Sequence, residues 1–183
     1  NDLSANNWLK INYDNSKTWD TTHTAGLTDS RYSARMNFFN YPTRKQIDDL
    51  ITPVVNVPAS LDSLFLRFDL AYRLRNTSVS DSLDISVSAN CGESWTSIFH
   101  RGGQEIETLD TVWTNFRPYS SSHWDYYKLD LLPYATGNSI IVRFRGINGA
   151  GTNLYLDNIG IYSASDPTGI EDLDMQASVF PNP

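Results

Sequence analysis

The sequence predicts an all-β protein, an antiparallel two-sheet β-sandwich of the jelly-roll kind. Three observations predict it. Hydrophobic and polar residues alternate with period two in segment after segment, aromatic residues make up 13% of the 183 residues, and compact turn signals separate the alternating runs. Aromatic and β-branched side chains suit a pleated, half-buried surface. With 40% hydrophobic and 19% charged residues, a chain of this length buries one substantial core and is too short for two comfortable ones.

The elements follow in chain order. Residues 9–13 form a first, weak strand candidate. Ala34, Met36 and Phe38 then alternate with Ser33, Arg35 and Asn37. Residues 50–56 are a further candidate, and Thr43 to Leu50 is the one stretch where a short helix is an option. The clearest alternation runs from Leu64 to Leu74. Leu64, Leu66, Phe68, Leu70, Tyr72 and Leu74 share one face, and Ser63, Arg67, Asp69 and Arg73 the other. That is the mark of an antiparallel strand with one wet face. Leu83, Ile85 and Val87 repeat the pattern, as do Tyr127, Leu129 and Leu131, and then Ile140, Val142 and Phe144. Weaker candidates lie at 95–99, 105–113 and 154–162, which brings the count to about ten strands. Ten antiparallel strands in one domain point to two packed sheets. The last candidate breaks phase: Leu154 and Leu156 share one parity, Ile159 and Ile161 the other. A phase change at Asp157-Asn158 predicts a β-bulge that re-aims side chains. After Tyr162 the chain becomes small, polar and Pro-containing. The domain edge is therefore placed near residue 165, with 1–165 the sandwich and 166–183 a linker and tail.

The formal net charge of −7 argues against nucleic acid and anionic membrane surfaces, both of which need clustered Lys and Arg. An acidic surface suits divalent cations and an outside medium. The single cysteine, Cys91, forms no internal disulfide, so a secreted protein of this kind needs another staple, and calcium is a common one. No apolar run is long enough to span a bilayer. The abrupt start at Asn1 and end at Pro183 read as a piece of a longer precursor.

Four stretches then look familiar together: Leu66-Arg67-Phe68-Asp69-Leu70-Ala71-Tyr72; Ser80-Asp81-Ser82-Leu83 with Val87 to Trp95; Phe116-Arg117-Pro118 with Trp124; and Asn153-Leu154-Tyr155-Leu156-Asp157-Asn158-Ile159. Over Trp8 to Tyr162 the chain resembles the C-terminal jelly-roll module of type IX-secreted Bacteroidetes proteins, pappalysin-like metalloproteases among them. It is similar, more distantly, to the cleaved-adhesin domains of gingipains and to MAM-like domains. Val179-Phe180-Pro181-Asn182-Pro183 resembles the opening of a type IX secretion sorting domain. The resemblance implies a secreted or cell-surface accessory module that carries no peptidase zinc site, often holds structural calcium, and contacts a protein or glycan. It places a calcium ligand at Asp157 and a partner acid near the chain start, where Asp2 stands in for a Phe-Glu pair that is absent. Asp29, in the turn Gly26 to Ser30, and Asp69 are weaker candidates for the same ion. The plain alternative is that these aspartates cap turns or face water.

Two further patterns stand out. Ser88 to Trp95 is similar to the Asp-box hairpin of sialidases, with Asn90 for Asp and Ser94 for Thr. The expectation is a structural turn in which Asn and Gly take the left-handed conformation, Cys91 is a small neutral filler and Trp95 plugs the core. Trp113, Phe116, Tyr119, Trp124 and Tyr126 cluster in a polar, loop-rich stretch. On strand parity Trp124 and Tyr126 face outward, and with Trp113 and Tyr119 they offer rings that stack on sugars or grip a partner. The blander reading, preferred for Trp124, is a bulge that turns it inward. Catalytic patterns are poor. His23, His100 and His123 lack metal spacing. Glu105 and Glu107 share a strand face, as a glycosidase pair would, but Glu-x-Glu-x-x-Asp does not match a sandwich glycosidase order. The sequence thus predicts a non-catalytic extracellular interaction module stabilised by calcium. A carbohydrate-binding module is the alternative and a glycosidase the remote one.

Overall fold

The computed structural model describes residues 7–24 and 32–163. These form eleven strands: β1 (Leu9–Asn12), β2 (Trp19–Thr22), β3 (Ser33–Met36), β4 (Ile47–Ile51), β5 (Val55–Asn56), β6 (Phe65–Ala71), β7 (Ser82–Ser88), β8 (Thr96–Gly102), β9 (Asp125–Asp130), β10 (Ser139–Ile147) and β11 (Leu154–Tyr162). The first sheet runs β1-β4-β10-β7-β8, with β5 pairing β10, and the second runs β2-β3-β11-β6-β9. All pairings between these strands are antiparallel. Compared position by position, the two orders match strands consecutive in the chain: β1 with β2, β4 with β3, β10 with β11, β7 with β6, β8 with β9. The chain thus passes repeatedly from one layer to the other, as in a jelly roll. The predicted all-β sandwich is the observed fold.

Period two explains the core. Leu64, Leu66, Phe68, Leu70 and Tyr72 are all fully buried, as are Leu83 and Ile85 of β7 and Val142 and Phe144 of β10. Phe68 sits at the centre, stacked on Tyr127 and edge-on to Phe99 and Phe144. Edge-to-face and stacked pairs of this kind add to the area they bury.

Three local expectations are corrected. Thr43 to Leu50 is not helical. Ile47 opens β4, which is paired on both sides by β1 and β10, so ladder bonds satisfy its backbone. Residues 105–113 are not a strand. A 3-10 turn over Gly103–Glu105 leads into an irregular segment that forms one isolated parallel bridge to the sandwich, Arg73↔Leu109, flanked by backbone hydrogen bonds from Thr108 to the Tyr72 carbonyl and from Val112 to the Leu74 carbonyl. β2 was missed because Trp-Asp-Thr-Thr is too short to show a period. The tail 166–183 lies outside the described residues.

One polar lock ties the top of the sandwich together. The buried Asp81 carboxylate accepts the Gly149 and Gly151 amides at 2.7 and 3.1 Å and the Tyr72 hydroxyl at 3.0 Å. Burial pushes its carboxyl up to about 6, although all three donors favour the charged form. A Cβ at Gly151 would run into the Asp81 carboxylate and the Tyr72 hydroxyl, which is why glycine stands there.

Candidate functional site

The outer face of the second sheet carries the candidate site, and strand parity builds it. Residues of β6 that alternate with the core positions, Arg67, Asp69 and Ala71, point away from the first sheet. Their ladder partners share that face. One cross-sheet row joins Ala71 to Tyr155 of β11, and the next joins Tyr126 of β9, Asp69 of β6 and Asp157 of β11.

The first row is roofed by the segment between β8 and β9. Ala71, Phe116, Trp124 and Tyr155 form a second apolar cluster with Leu109 and Val112 against it. Trp124 meets Tyr155 edge-on at 6.4 Å, and Phe116 does the same at 5.9 Å. Hydrogen bonds fix this roof. The Tyr155 hydroxyl donates to the Phe116 carbonyl at 2.7 Å, Asn153 donates to Asn115 Oδ1 at 2.6 Å, and the Thr108 hydroxyl donates to the His123 carbonyl at 2.8 Å. Arg117 reaches back to Thr24 and to the His23 carbonyl.

The four aromatic candidates therefore separate. Trp124 is only 5% exposed. It is offered to no ligand, and it is buried by the loop that folds over it rather than by a bulge into the main core. Trp113, Tyr119 and Tyr126 are 71%, 88% and 54% exposed. Tyr119 meets the ring of buried His123 in a T-shaped contact, with centroids 4.4 Å apart. Burial, with a smaller contribution from Arg73, keeps His123 below its ordinary value.

The second row holds two of the four aspartates named above. Asp157 is fully buried and Asp69 is 3% exposed, so the solvent-facing reading of Asp69 is corrected. They are direct ladder partners. The predicted bulge is present: the register shifts between Asp157 and Gly160, and Asn158 takes a left-handed φ of 48°. Asn158 donates its side-chain amide to Asp69 at 2.6 Å and its backbone amide to Asp157 at 2.8 Å. Asp2 and Asp29 lie outside the described residues. Among the described residues no group of three or more His, Cys, Asp or Glu side chains is placed to hold a metal, so any ion here would need hydroxyl or carbonyl oxygens as well. Ser33, fully buried with its hydroxyl unsatisfied among the described residues, lies one step beyond the pairing of β3 with β11. Two carboxylates and a hydroxyl match the oxygen preference of calcium.

The other sequence patterns are structural. Glu105 accepts the Gly102 amide, and Glu107 accepts the Leu74 amide and the Thr111 hydroxyl. The two carboxylates thus tie down separate segments. In the Ser88–Trp95 turn, Asn90 Oδ1 accepts the Ser88 hydroxyl and the Ser94 amide. The left-handed residues are Cys91 and Gly92, not Asn90. Cys91 is exposed. Trp95 does not plug the core: half-buried, it lies under Arg143, whose guanidinium carbon is 4.4 Å from its ring centroid. A cleft of about 310 Å³ beside this turn is lined by Ser88, Asn90, Ser94, Thr96 and Tyr134 among others, with no Asp, Glu or His in its wall.

No protein-family model and no curated protein matches the sequence. Solved structures do match in fold. The K1 cleaved adhesin domain of Lys-gingipain from Porphyromonas gingivalis W83 superposes with a TM-score of 0.60 at 17% identity, covering 86% of this chain and 91% of that one. The K3 cleaved adhesin domain of the same protein gives 0.57 at 16%, covering 84% and 90%. TmCBM61, solved in complex with β-1,4-galactotriose, gives 0.51 at 10%, covering 86% and 88%. At such identities the likeness establishes the β-sandwich, and the resemblance to cleaved adhesins holds at that level.

Proposed function

We propose that this chain is a non-catalytic, extracellular binding module that engages glycans through exposed rings on the outer side of its second sheet. The observation that carries the reading is the separation among its aromatics. Trp124 and Phe116 are spent on anchoring the roof, whereas Trp113, Tyr119 and Tyr126 stand exposed on or beside it. Rigid, exposed aromatic faces stack on sugar rings at little entropic cost. Cleaved adhesin domains and a module solved with a galactotriose share the fold, which supports the reading without deciding the ligand. A glycan array with wild type and the Trp113→Ala and Tyr119→Ala variants tests it. Loss of one stacking ring is expected to weaken binding about tenfold, the equivalent of ~1.4 kcal/mol. Binding unchanged in both variants refutes the platform, and binding to protein arrays alone favours a protein-directed adhesin.

Structural calcium belongs to the same proposal. Asp157 and Asp69 would hold it, and bound calcium would neutralise two like charges set opposite each other in a buried position. Chelation is then expected to lower the melting temperature, and a melting curve unmoved by chelator removes this part.

A further inference from the structure

A second cluster of buried oxygens sits where residues 13–18 link β1 to β2. Asp48, in β4, is fully buried. It shares the inward parity of Leu50, and its ladder partner on β1 is Asn12. Among the described residues neither Asp48 Oδ1 nor Oδ2 accepts a hydrogen bond of normal geometry, and Asn12 Oδ1, Thr18 Oγ1 and Tyr41 Oη are likewise buried without one. Thr18 and Tyr41 nevertheless lie close enough to Asp48 to favour its charged form, and Asp14 stands near both Tyr41 and Asp48. These oxygens crowd together, yet none of their mutual contacts reaches normal hydrogen-bond geometry. Buried polar atoms rarely stay unsatisfied, and a carboxylate without a cation is the costliest case.

The local frame is rigid. The Asn12 amide donates to the Ser16 carbonyl at 3.1 Å, which fixes the orientation of its oxygen, and Asp14 Oδ1 accepts the Ser16 amide at 2.9 Å. Trp19 donates its indole N–H to the Asp48 carbonyl at 3.0 Å. Arg145 does not serve Asp48. It is held in a two-point ion pair by Asp49 on the opposite face, at 2.7 and 2.8 Å, with the Tyr13 hydroxyl beside it. Burial lifts the Asp48 carboxyl to about 6, with the Asp14 and Asp49 charges pushing the same way.

We propose that this cluster binds a hard divalent cation, calcium by its all-oxygen donor set, held by Asp48 with Asn12 Oδ1 and Thr18 Oγ1 and flanked by Tyr41 and Asp14. Calcium takes about six to eight oxygens, neutral ones included, in flexible geometry, whereas magnesium demands a near-ideal octahedron and softer metals favour thiolate or imidazole ligands. The site pins the β1–β2 link to β4 and so closes one edge of the sandwich. It is independent of Asp157 and Asp69, which lie on the other sheet.

The test is calcium binding by the whole chain, read two ways. The melting temperature is measured in calcium chloride and in EDTA, and terbium emission is read on tryptophan excitation, with Trp19 as the adjacent antenna. The proteins are wild type, Asp48→Asn, Thr18→Val, Asp157→Asn and, for terbium emission, Trp19→Phe. A hundredfold excess of calcium over its Kd is expected to raise the wild-type melting temperature by roughly 5–10 °C. Part of that rise survives in Asp157→Asn, disappears in Asp48→Asn and shrinks in Thr18→Val, and the Trp19→Phe variant loses the matching share of terbium emission. Calcium and terbium responses in Asp48→Asn and Thr18→Val equal to wild type overturn the proposal. So does a response abolished wholly by Asp157→Asn. Should Asp48→Asn fail to fold, Thr18→Val decides, because it keeps the side-chain shape and removes only the oxygen.

Discussion

Replacing Trp124 by alanine separates anchoring from binding. The indole is 5% exposed and packs against Tyr155, Phe116 and Ala71. Its N–H has no partner among the described residues, so truncation sacrifices no hydrogen bond. The cost is then apolar transfer plus the cavity left behind, which for a buried Trp or Phe is about 3–5 kcal/mol. The cluster lies under a loop that partly collapses, so the low end applies, about 3 kcal/mol. For a domain of this size each kcal/mol moves the midpoint by roughly 2–4 °C, which gives a fall of about 6–12 °C. Thermal and urea unfolding followed by circular dichroism measure it. Limited proteolysis of the variant is expected to cut within residues 105–124, which Trp124 helps to seat. Trp113→Ala is the control: at 71% exposure it is expected to change stability by no more than about 0.5 kcal/mol. A Trp124→Ala protein within about 1 kcal/mol of wild type would refute the view of that loop as a packed roof.

The other predictions concern single polar and backbone devices. Asp81 has a folded value of about 6, above its ordinary carboxylate value, so the native state binds its proton more tightly than the unfolded chain. Stability from this group is present at low pH and is lost as pH rises through about 6, on the order of 2 kcal/mol between about pH 4.5 and 7. Asp81→Asn is expected to flatten that slope in urea titrations, and an unchanged slope contradicts the assignment. Gly151→Ala is expected to cost about 2 kcal/mol by driving a methyl into Asp81 and Tyr72. Asn158→Ala strains a left-handed residue and removes the bond to Asp69, about 2 kcal/mol together. Asn158→Gly is expected to recover the backbone part, and equal losses in the two variants would show that the bulge conformation is not the source.

Alternation was the legible part. Leu64 through Leu74 announced β6 and its buried face, and the parity change after Leu156 announced the bulge that Asn158 makes. Both are local, because in a strand the face of each side chain follows from its position alone. Trp124 and Asp69 show the limit. Asp69 was placed on the outer face correctly and read as wet wrongly, and Trp124 was expected to be buried, but by a bulge and not by a covering loop. Trp124 is covered by residues distant in sequence, and whether an outward position is wet depends on what folds over it. Trp95 failed for the same reason in reverse: its half-exposed place under Arg143 comes from a partner on another strand. The Asp48 cluster was invisible because it is assembled from a link, two strands and a loop, and what marks it is hydrogen bonds not made.

The linear chain by itself thus determined the strands, the inward faces and the two-layer class, since these follow from a period-two rhythm that each segment carries within itself. Only the tertiary structure decided which outward aromatics are roof and which are exposed, and which aspartates end buried beside one another. Those outcomes depend on long-range covering and register, and neither is written in any one segment.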